Sequence, residues 1–277
     1  MKQFKFLSLI VAIGIIAFSI PGIAQADLLD KIISKGKLRC GVMLDFPPVG
    51  MRDAQNNPIG YDVEFAKDMA EALGVELVIV ETPAPDRIPA ILSGRVDIGV
   101  ASATNSLERA KSVGFSIPYQ IWNVGVAVVS SNEDIKAYED LIGKKIGTVR
   151  GTTSEAEFLK DFKAWKKKGT THISYGSNAE QFLALQQGKV DCIIESTAIF
   201  GEFIKGAGKG KIKIACSVDS FPADWTGLMV KRNEQGFLNW VNLFVWHQWK
   251  NGKTDELYKK WFGFPAPIMD YPGVHGY

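Results

Sequence analysis

The sequence predicts an α/β fold built from two similar lobes, each a sheet flanked by helices. Three observations carry this. Residues 94–110, GRVDIGVASATNSLERA, read as an apolar strand, a hydroxyl-rich turn and a helix start. Residues 184–196, ALQQGKVDCIIES, repeat that order, with Gly188-Lys189-Val190-Asp191 echoing Gly94-Arg95-Val96-Asp97. Two extended runs, Trp122–Val129 and Gly227–Lys231, are placed to carry the chain out of one lobe and back.

The first unit organises the rest. Val96–Val100 is short, β-branched and almost wholly apolar, which suits a strand buried on both faces. It ends in Ser102, Thr104, Asn105 and Ser106, and Asn105 with Glu108 has the spacing of a capping box. Such a turn sets free N–H groups and the positive end of a helix dipole at the carboxyl end of a sheet, a favourable place for an anion. Arg109 lies in the first helical turn, where the dipole disfavours a cation. It makes sense there as a fork onto a carboxylate, or as a surface arginine paired with Glu108 or Asp97. The residues alone leave both open.

The chain opens with Lys2 and Lys5, an apolar run from Phe6 to Ile20, then Pro21, Gly22 and Ala24-Gln25-Ala26. That order predicts a secretory signal peptide over residues 1–26, cleaved after Ala26. The 32 basic residues lose Lys2 and Lys5 with the leader and then match the 30 acidic ones, which argues against nucleic acid as a partner. Cys40, Cys192 and Cys216 are an odd count for an oxidising compartment. Cys40 reads as a buried thiol, and a Cys192–Cys216 bridge is compatible with the spacing.

In order, residues 27–36 predict an amphipathic helix and 37–44 a strand ending at Asp45-Phe46-Pro47-Pro48, where the prolines hold Phe46 near the strand end. Asp62 is placed to cap a helix running to Leu73, and Gly74 to stop it. Residues 75–80 form a second strand, and Arg87 opens the helix that leads into the first unit. FSIPY, residues 115–119, reads as a proline-marked loop. Residues 135–142 are helix-like and 145–149 a strand. Arg150-Gly151-Thr152-Thr153-Ser154 is then a second hydroxyl-rich turn, with Ser154 and Glu157 spaced as a capping box. Asn178 with Gln181 opens the helix that ends at Gly188. GAGKGK, residues 206–211, lacks the phosphate-loop order and follows a helix, so it reads as a surface loop. Trp240, Phe244 and Trp246 recur at helical spacing, as core residues do.

His172, His247 and His275 are far apart and join no paired metal-ligand spacing, so no metal is expected. No nucleophile motif is present, and nothing demands catalysis.

Six segments, LRCGVMLDFPPVG, GYDVEFAKDMAEALGV, RIPAILSGRVDIGVASATNSLERAKSVGFSIPY, LIGKKIGTVRGTTSE, LQQGKVDCIIES and LYKKWFG, span essentially the whole chain after the leader. Each is weak alone. Together and in order, they resemble the extracytoplasmic solute-binding proteins of polar amino acid ABC transporters, the two-lobe periplasmic "Venus flytrap" proteins. The third segment is most similar to their glutamate/aspartate-binding branch. The resemblance implies mixed sheets flanked by helices, two hinge crossings, lobe 1 from residues 27–123 plus 227–277, and lobe 2 from residues 124–226. It implies a monomer in the periplasm, without a cofactor, that holds a polar or acidic amino acid or related small carboxylate between its lobes. It would deliver that solute to a permease in the inner membrane.

Residue by residue, the resemblance gives Arg109 the ligand's α-carboxylate, with Ser102 and Thr104 beside it and Thr153 closing from the other lobe. Phe46 would line the wall. Arg87 would meet a side-chain carboxylate, or else pair with Asp86. Trp122 and Trp225 flank the crossings, where packing is the expected role. One departure stands out: the family's usual ammonium-binding aspartate is replaced by Ser196, with Glu195 one position earlier. Neighbouring strand residues face opposite ways, so Glu195 serves only if the backbone shifts or the strand ends early. A secreted cyclohexadienyl (arogenate/prephenate) dehydratase on the same fold, with Glu195 as general acid, is the alternative.

Overall fold

The computed structural model describes residues 27–206 and 208–267; the predicted signal peptide and its cleavage after Ala26 lie outside these residues. Twelve strands form two five-stranded sheets and one small hairpin. The strands are β1 (Lys37–Val42), β2 (Met51–Arg52), β3 (Pro58–Ile59), β4 (Glu76–Glu81), β5 (Ile98–Thr104), β6 (Val113–Trp122), β7 (Val124–Val129), β8 (Lys145–Val149), β9 (Thr171–Tyr175), β10 (Cys192–Ser196), β11 (Ile212–Ser217) and β12 (Asp224–Lys231). The helices are α1 (Leu28–Lys35), α2 (Tyr61–Leu73), α3 (Arg87–Ser93), α4 (Leu107–Ala110), α5 (Thr153–Trp165), α6 (Asn178–Gln186), α7 (Thr197–Lys205), α8 (Gln235–Lys250) and α9 (Lys253–Phe262).

The first sheet runs β4-β1-β5-β12-β6 and the second β11-β7-β10-β8-β9. In each, three strands are parallel: β1 pairs with β4 and β5, and β8 with β9 and β10. Parallel neighbours need crossovers, which supplies the helices between them. The other two strands in each sheet are antiparallel to this set or to each other: β12 to β5 and β6, and β7 to β10 and β11. The fold is therefore two mixed α/β lobes. Between β6 and β7 stands Asn123 alone, and the chain returns from β11 to β12, which enters the first sheet already at Asp224, three residues before the expected boundary at Gly227. The cores follow the sheets. Tyr61, Phe65, Tyr119, Trp122 and Tyr258 pack rings between α2, β6 and α9, while Val126, Leu141, Ile146, Phe158 and Ile194 fill the second lobe.

Several local expectations are corrected. The caps sit one or two residues away from the predicted ones: Ser106 accepts from Arg109 N–H, Thr152 from Glu155 N–H and Ser177 from Glu180 N–H. Hydroxyl-rich turns offer several near-equivalent cap positions, and tertiary contacts choose among them. Asn105 instead reaches the Ser116 carbonyl. Asp62 lies within α2 and caps nothing; Gly60 precedes the helix. The FSIPY loop is part of β6, where the register against β12 shifts between Thr226↔Gln120 and Gly227↔Pro118. A bulge there tolerates the proline's missing N–H. Residues 135–142 contain only a 3₁₀ turn, Tyr138–Leu141. The Cys192–Cys216 bridge does not form: both thiols are free. Strand β7 lies between their strands, a separation of about 9.6 Å that no disulfide spans.

Candidate functional site

The carboxyl ends of the parallel strands face one another, and a small cavity lies between them. Its wall includes Met43, Phe46 and Trp122 as apolar surface, with Arg87, Ser102, Thr104, Asp224 and Thr226 from the first lobe. From the second lobe come Thr152, Thr153, Asn178, Glu195 and Ser196. Three helices begin beside it, α5 at Thr153, α6 at Asn178 and α7 at Thr197, so their positive dipole ends converge there; the first N–H of α6 is taken by Asp45 and that of α7 by the Asn123 carbonyl. Four buried polar atoms on the wall have no partner among the described residues: Thr153 Oγ1, Asn178 Oδ1, Glu195 Oε2 and Ser196 Oγ. Polar groups buried like this are normally bonded, so this cavity stands out for its unmet hydrogen-bonding capacity. Larger concavities, about 440 Å³ behind Asn123 and about 650 Å³ between α2 and α8, gather at most one such atom among the described residues, Trp261 Nε1.

The lobes meet around this cavity. Gly151 has φ +80°, and a Cβ there would sit 3.3 Å from both the Ala84 oxygen and Pro85 Cα of the other lobe. Only glycine lets this turn approach so closely. Its carbonyl accepts from Arg87 Nη2 at 3.0 Å and Arg109 Nη2 at 2.7 Å. On the opposite side, Asn178 N–H donates to Asp45 Oδ2 at 2.9 Å. The enclosed space is about 20 Å³, room for about one water-sized sphere. A solute of amino acid size enters only when the halves part.

Most of the anticipated residues meet here. Phe46, Arg87, Ser102, Thr104, Thr153, Glu195 and Ser196 line one cavity, together with Trp122, for which packing was the expected role. Arg109 stands off the wall, half-buried, with Nη1 on the Thr104 carbonyl at 3.0 Å. It does not pair with Glu108 or Asp97, which bind Lys111 and Arg39 instead. Nor does Arg87 pair with Asp86: it donates to the carbonyls of Ala84, Ala101, Ser102 and Gly151. Of the five N–H groups of its guanidinium, these bonds use four and leave one on Nη2 unassigned among the described residues. Glu195 and Ser196 both line the cavity although β10 pairs with β7 in unbroken register through Ser196↔Val124; α7 starts at the next residue, Thr197. Glu195 Oε1 folds back onto the Ser196 N–H at 2.9 Å.

Sequence reasoning missed Asp224. It opens β12, is 6% exposed, and accepts from Thr104 Oγ1 at 2.9 Å. Its only sequence signal was its place just before an extended run. Asp224 and Glu195 bring a carboxyl group from each lobe to one cavity. Residues 38–264 match the family model of the bacterial extracellular solute-binding proteins, family 3. The chain belongs to this family.

Its relatives agree. It is 28% identical to the L-cystine-binding protein of Escherichia coli (strain K12), over 92% of this chain and 93% of that one. It is 31% identical to the L-glutamate/L-aspartate-binding protein of Pseudomonas aeruginosa, over 86% and 81%. The solved structure of a solute receptor for L-cysteine of Neisseria gonorrhoeae superposes with a TM-score of 0.78 at 30% identity, covering 85% of this chain and 93% of that one. No helix among the described residues is long and apolar enough to cross a membrane.

Burial shifts two carboxyls of this cleft. Burial pushes the Glu195 carboxyl up to about 7; the Ser196 N–H and Arg87 oppose this, and Asp224 adds to it. Burial likewise raises Asp224 above its usual range, against its bond from Thr104 and the charges of Arg109 and Arg87. A carboxyl raised on folding holds a proton that the unfolded chain has lost, so stability falls as pH climbs from the unfolded value to the folded one. For Glu195 that window is about pH 4.5 to 7. Glu195→Gln should remove up to about 3 kcal/mol of that decline, read as the difference in pH slope of urea unfolding. Parallel slopes would remove Glu195 from the account.

Proposed function

We propose that this protein is the extracytoplasmic receptor of an ABC uptake transporter and binds a small polar amino acid, acidic or neutral, as a monomer between its lobes. The coarse reading follows from membership of a family whose relatives here are amino acid-binding proteins, and such receptors serve a membrane permease. The observation that carries the finer reading is the set of unpartnered atoms on Thr153, Asn178, Glu195 and Ser196 around one cavity. The ligand's carboxylate would lie at the start of α5, on Thr153, and take Arg109 as that guanidinium leaves Gly151. Its ammonium would lie between Asp224 and Glu195, with Met43, Phe46 and Trp122 along its side chain. Lobe closure over the ligand is what distinguishes the loaded receptor from the empty one.

A thermal-shift screen of L-amino acids, L-cystine and dicarboxylates tests this. A solute that binds only the folded form raises Tm with its occupancy, so at least one zwitterionic amino acid should shift Tm by several degrees. A response to dicarboxylates alone would overturn the ammonium site. Because an ammonium favours ionised Glu195, affinity should rise with pH between 6 and 8, opposite in sign to the stability trend. The dehydratase alternative is the weaker reading, since the relatives matching most of this chain are solute-binding proteins.

A further inference from the structure

Behind the cavity floor lies a buried polar cluster that touches no cavity. Asp62 and Gln120 are both fully buried. Asp62 Oδ1 accepts from Tyr119 OH at 2.8 Å and from Gln120 Nε2 at 2.9 Å. Consecutive strand residues should point to opposite faces. Here the register moves from Thr226↔Gln120 to Gly227↔Pro118, which makes Tyr119 the extra residue of a bulge. The bulge brings both side chains to one carboxyl.

From this pair the network reaches the cavity wall. Tyr119 OH accepts the Ser102 N–H at 3.1 Å. Gln120 Oε1 accepts from Ser102 Oγ at 3.0 Å and Trp122 Nε1 at 3.2 Å, and Thr226 Oγ1 lies 3.3 Å away. The indole nitrogen only donates, so the amide must present its oxygen to the wall and its NH₂ to Asp62. Ser102 has φ +45°, a left-handed conformation that a non-glycine residue keeps only when its surroundings over-determine it. Its N–H, its hydroxyl and its carbonyl, which accepts from Arg87 Nη1, are all held.

We propose that Asp62 and Gln120 are positioning residues for the cleft: by fixing the orientation of one buried amide, they hold Ser102, Trp122 and Thr226 in the geometry the solute meets. This rests on the cleft being the solute site. Burial holds the Asp62 carboxyl well above its usual range, opposed by its bonds from Tyr119 and Gln120. Asparagine therefore mimics it, and Asp62→Asn should keep the network.

The test has a ligand-free and a ligand-bound arm. In the unliganded full-length mature protein, Gln120→Met should speed exchange of the Trp122 indole N–H at least tenfold, and Tyr119→Phe should do the same for the Ser102 amide. Asp62→Asn should leave both within threefold of wild type. Binding of L-cystine, L-glutamate, L-glutamine and L-arginine is then measured by calorimetry well below Tm. Whichever binds wild type should weaken at least tenfold in Gln120→Met, and Ser102→Ala should add less than twofold in that background. A purely structural role predicts unchanged Kd and additive effects of the two substitutions. Unchanged exchange at both groups, or affinity within twofold of wild type, would overturn the proposal. If wild type binds none of the four, the receptor reading suffers and the exchange arm still decides this one. If Gln120→Met does not fold, Gln120→Asn, one methylene too short to span from Asp62 to Ser102 and Trp122, takes its place with the same expected tenfold changes.

Discussion

Replacing Arg87 with methionine should destabilise the folded protein by about 3–5 kcal/mol, the scale for breaking a buried charged network from one side. Its Nε donates to the Ala84 carbonyl at 3.1 Å, its Nη1 to Ala101 at 3.1 Å and Ser102 at 3.0 Å, and its Nη2 to Gly151 at 3.0 Å. Methionine fills much of the same space and donates nothing. Each buried carbonyl left without a donor costs about 1–3 kcal/mol. Relief from burying the charge, which pulls the guanidinium's pKa down to about 10, offsets part of that sum. The loss should appear as a lower urea midpoint at unchanged slope. A variant within about 1 kcal/mol of wild type would mean that Arg87 is no more than a surface cation. Because Ser102 is among its acceptors, ligand affinity should fall as well.

Arg109→Ala should instead leave stability largely intact and weaken amino acid binding by about 2–4 kcal/mol, the scale for stranding a buried charged partner. Calorimetry would read this as a Kd about 30- to 1,000-fold higher. Arg109 is half-buried and spans the cleft mouth, with Nη1 on Thr104 and Nη2 on Gly151. Parting the lobes removes the second contact, and a carboxylate at the start of α5 can replace it with a forked bond. Arg109→Lys keeps the charge without the fork and should recover no more than part of the loss. Unaltered affinity in Arg109→Ala would take the carboxylate elsewhere, with Thr153 and the helix ends as its remaining donors.

Much of this architecture was legible in the residues. Apolar runs bounded by glycines mark the parallel strands, and the Gly-Arg-Val-Asp and Gly-Lys-Val-Asp echoes mark two lobes, because buried strands leave a local trace. The hydroxyls at Ser102, Thr104 and Thr153 also stand out locally. Asp224 did not, since its role depends on β12 returning beside β5 so that Thr104 meets it. Pro118 and FSIPY misled for a similar reason: a bulge against β12 turns a loop spelling into strand.

The sequence by itself determined the order of strands and helices, the doubling of the unit, and which short segments carry hydroxyls and charge, because these depend on near neighbours along the chain. Only the tertiary structure decided what each charged group does. Arg87 binds carbonyls rather than Asp86, Glu195 shares the cavity wall with Ser196, and Asp62 turns from a helix cap into the anchor of Gln120. Those outcomes depend on which distant backbone groups are buried beside each side chain. The hydrogen-bonding demand of a buried group is set by its surroundings, and no spacing along the chain records it.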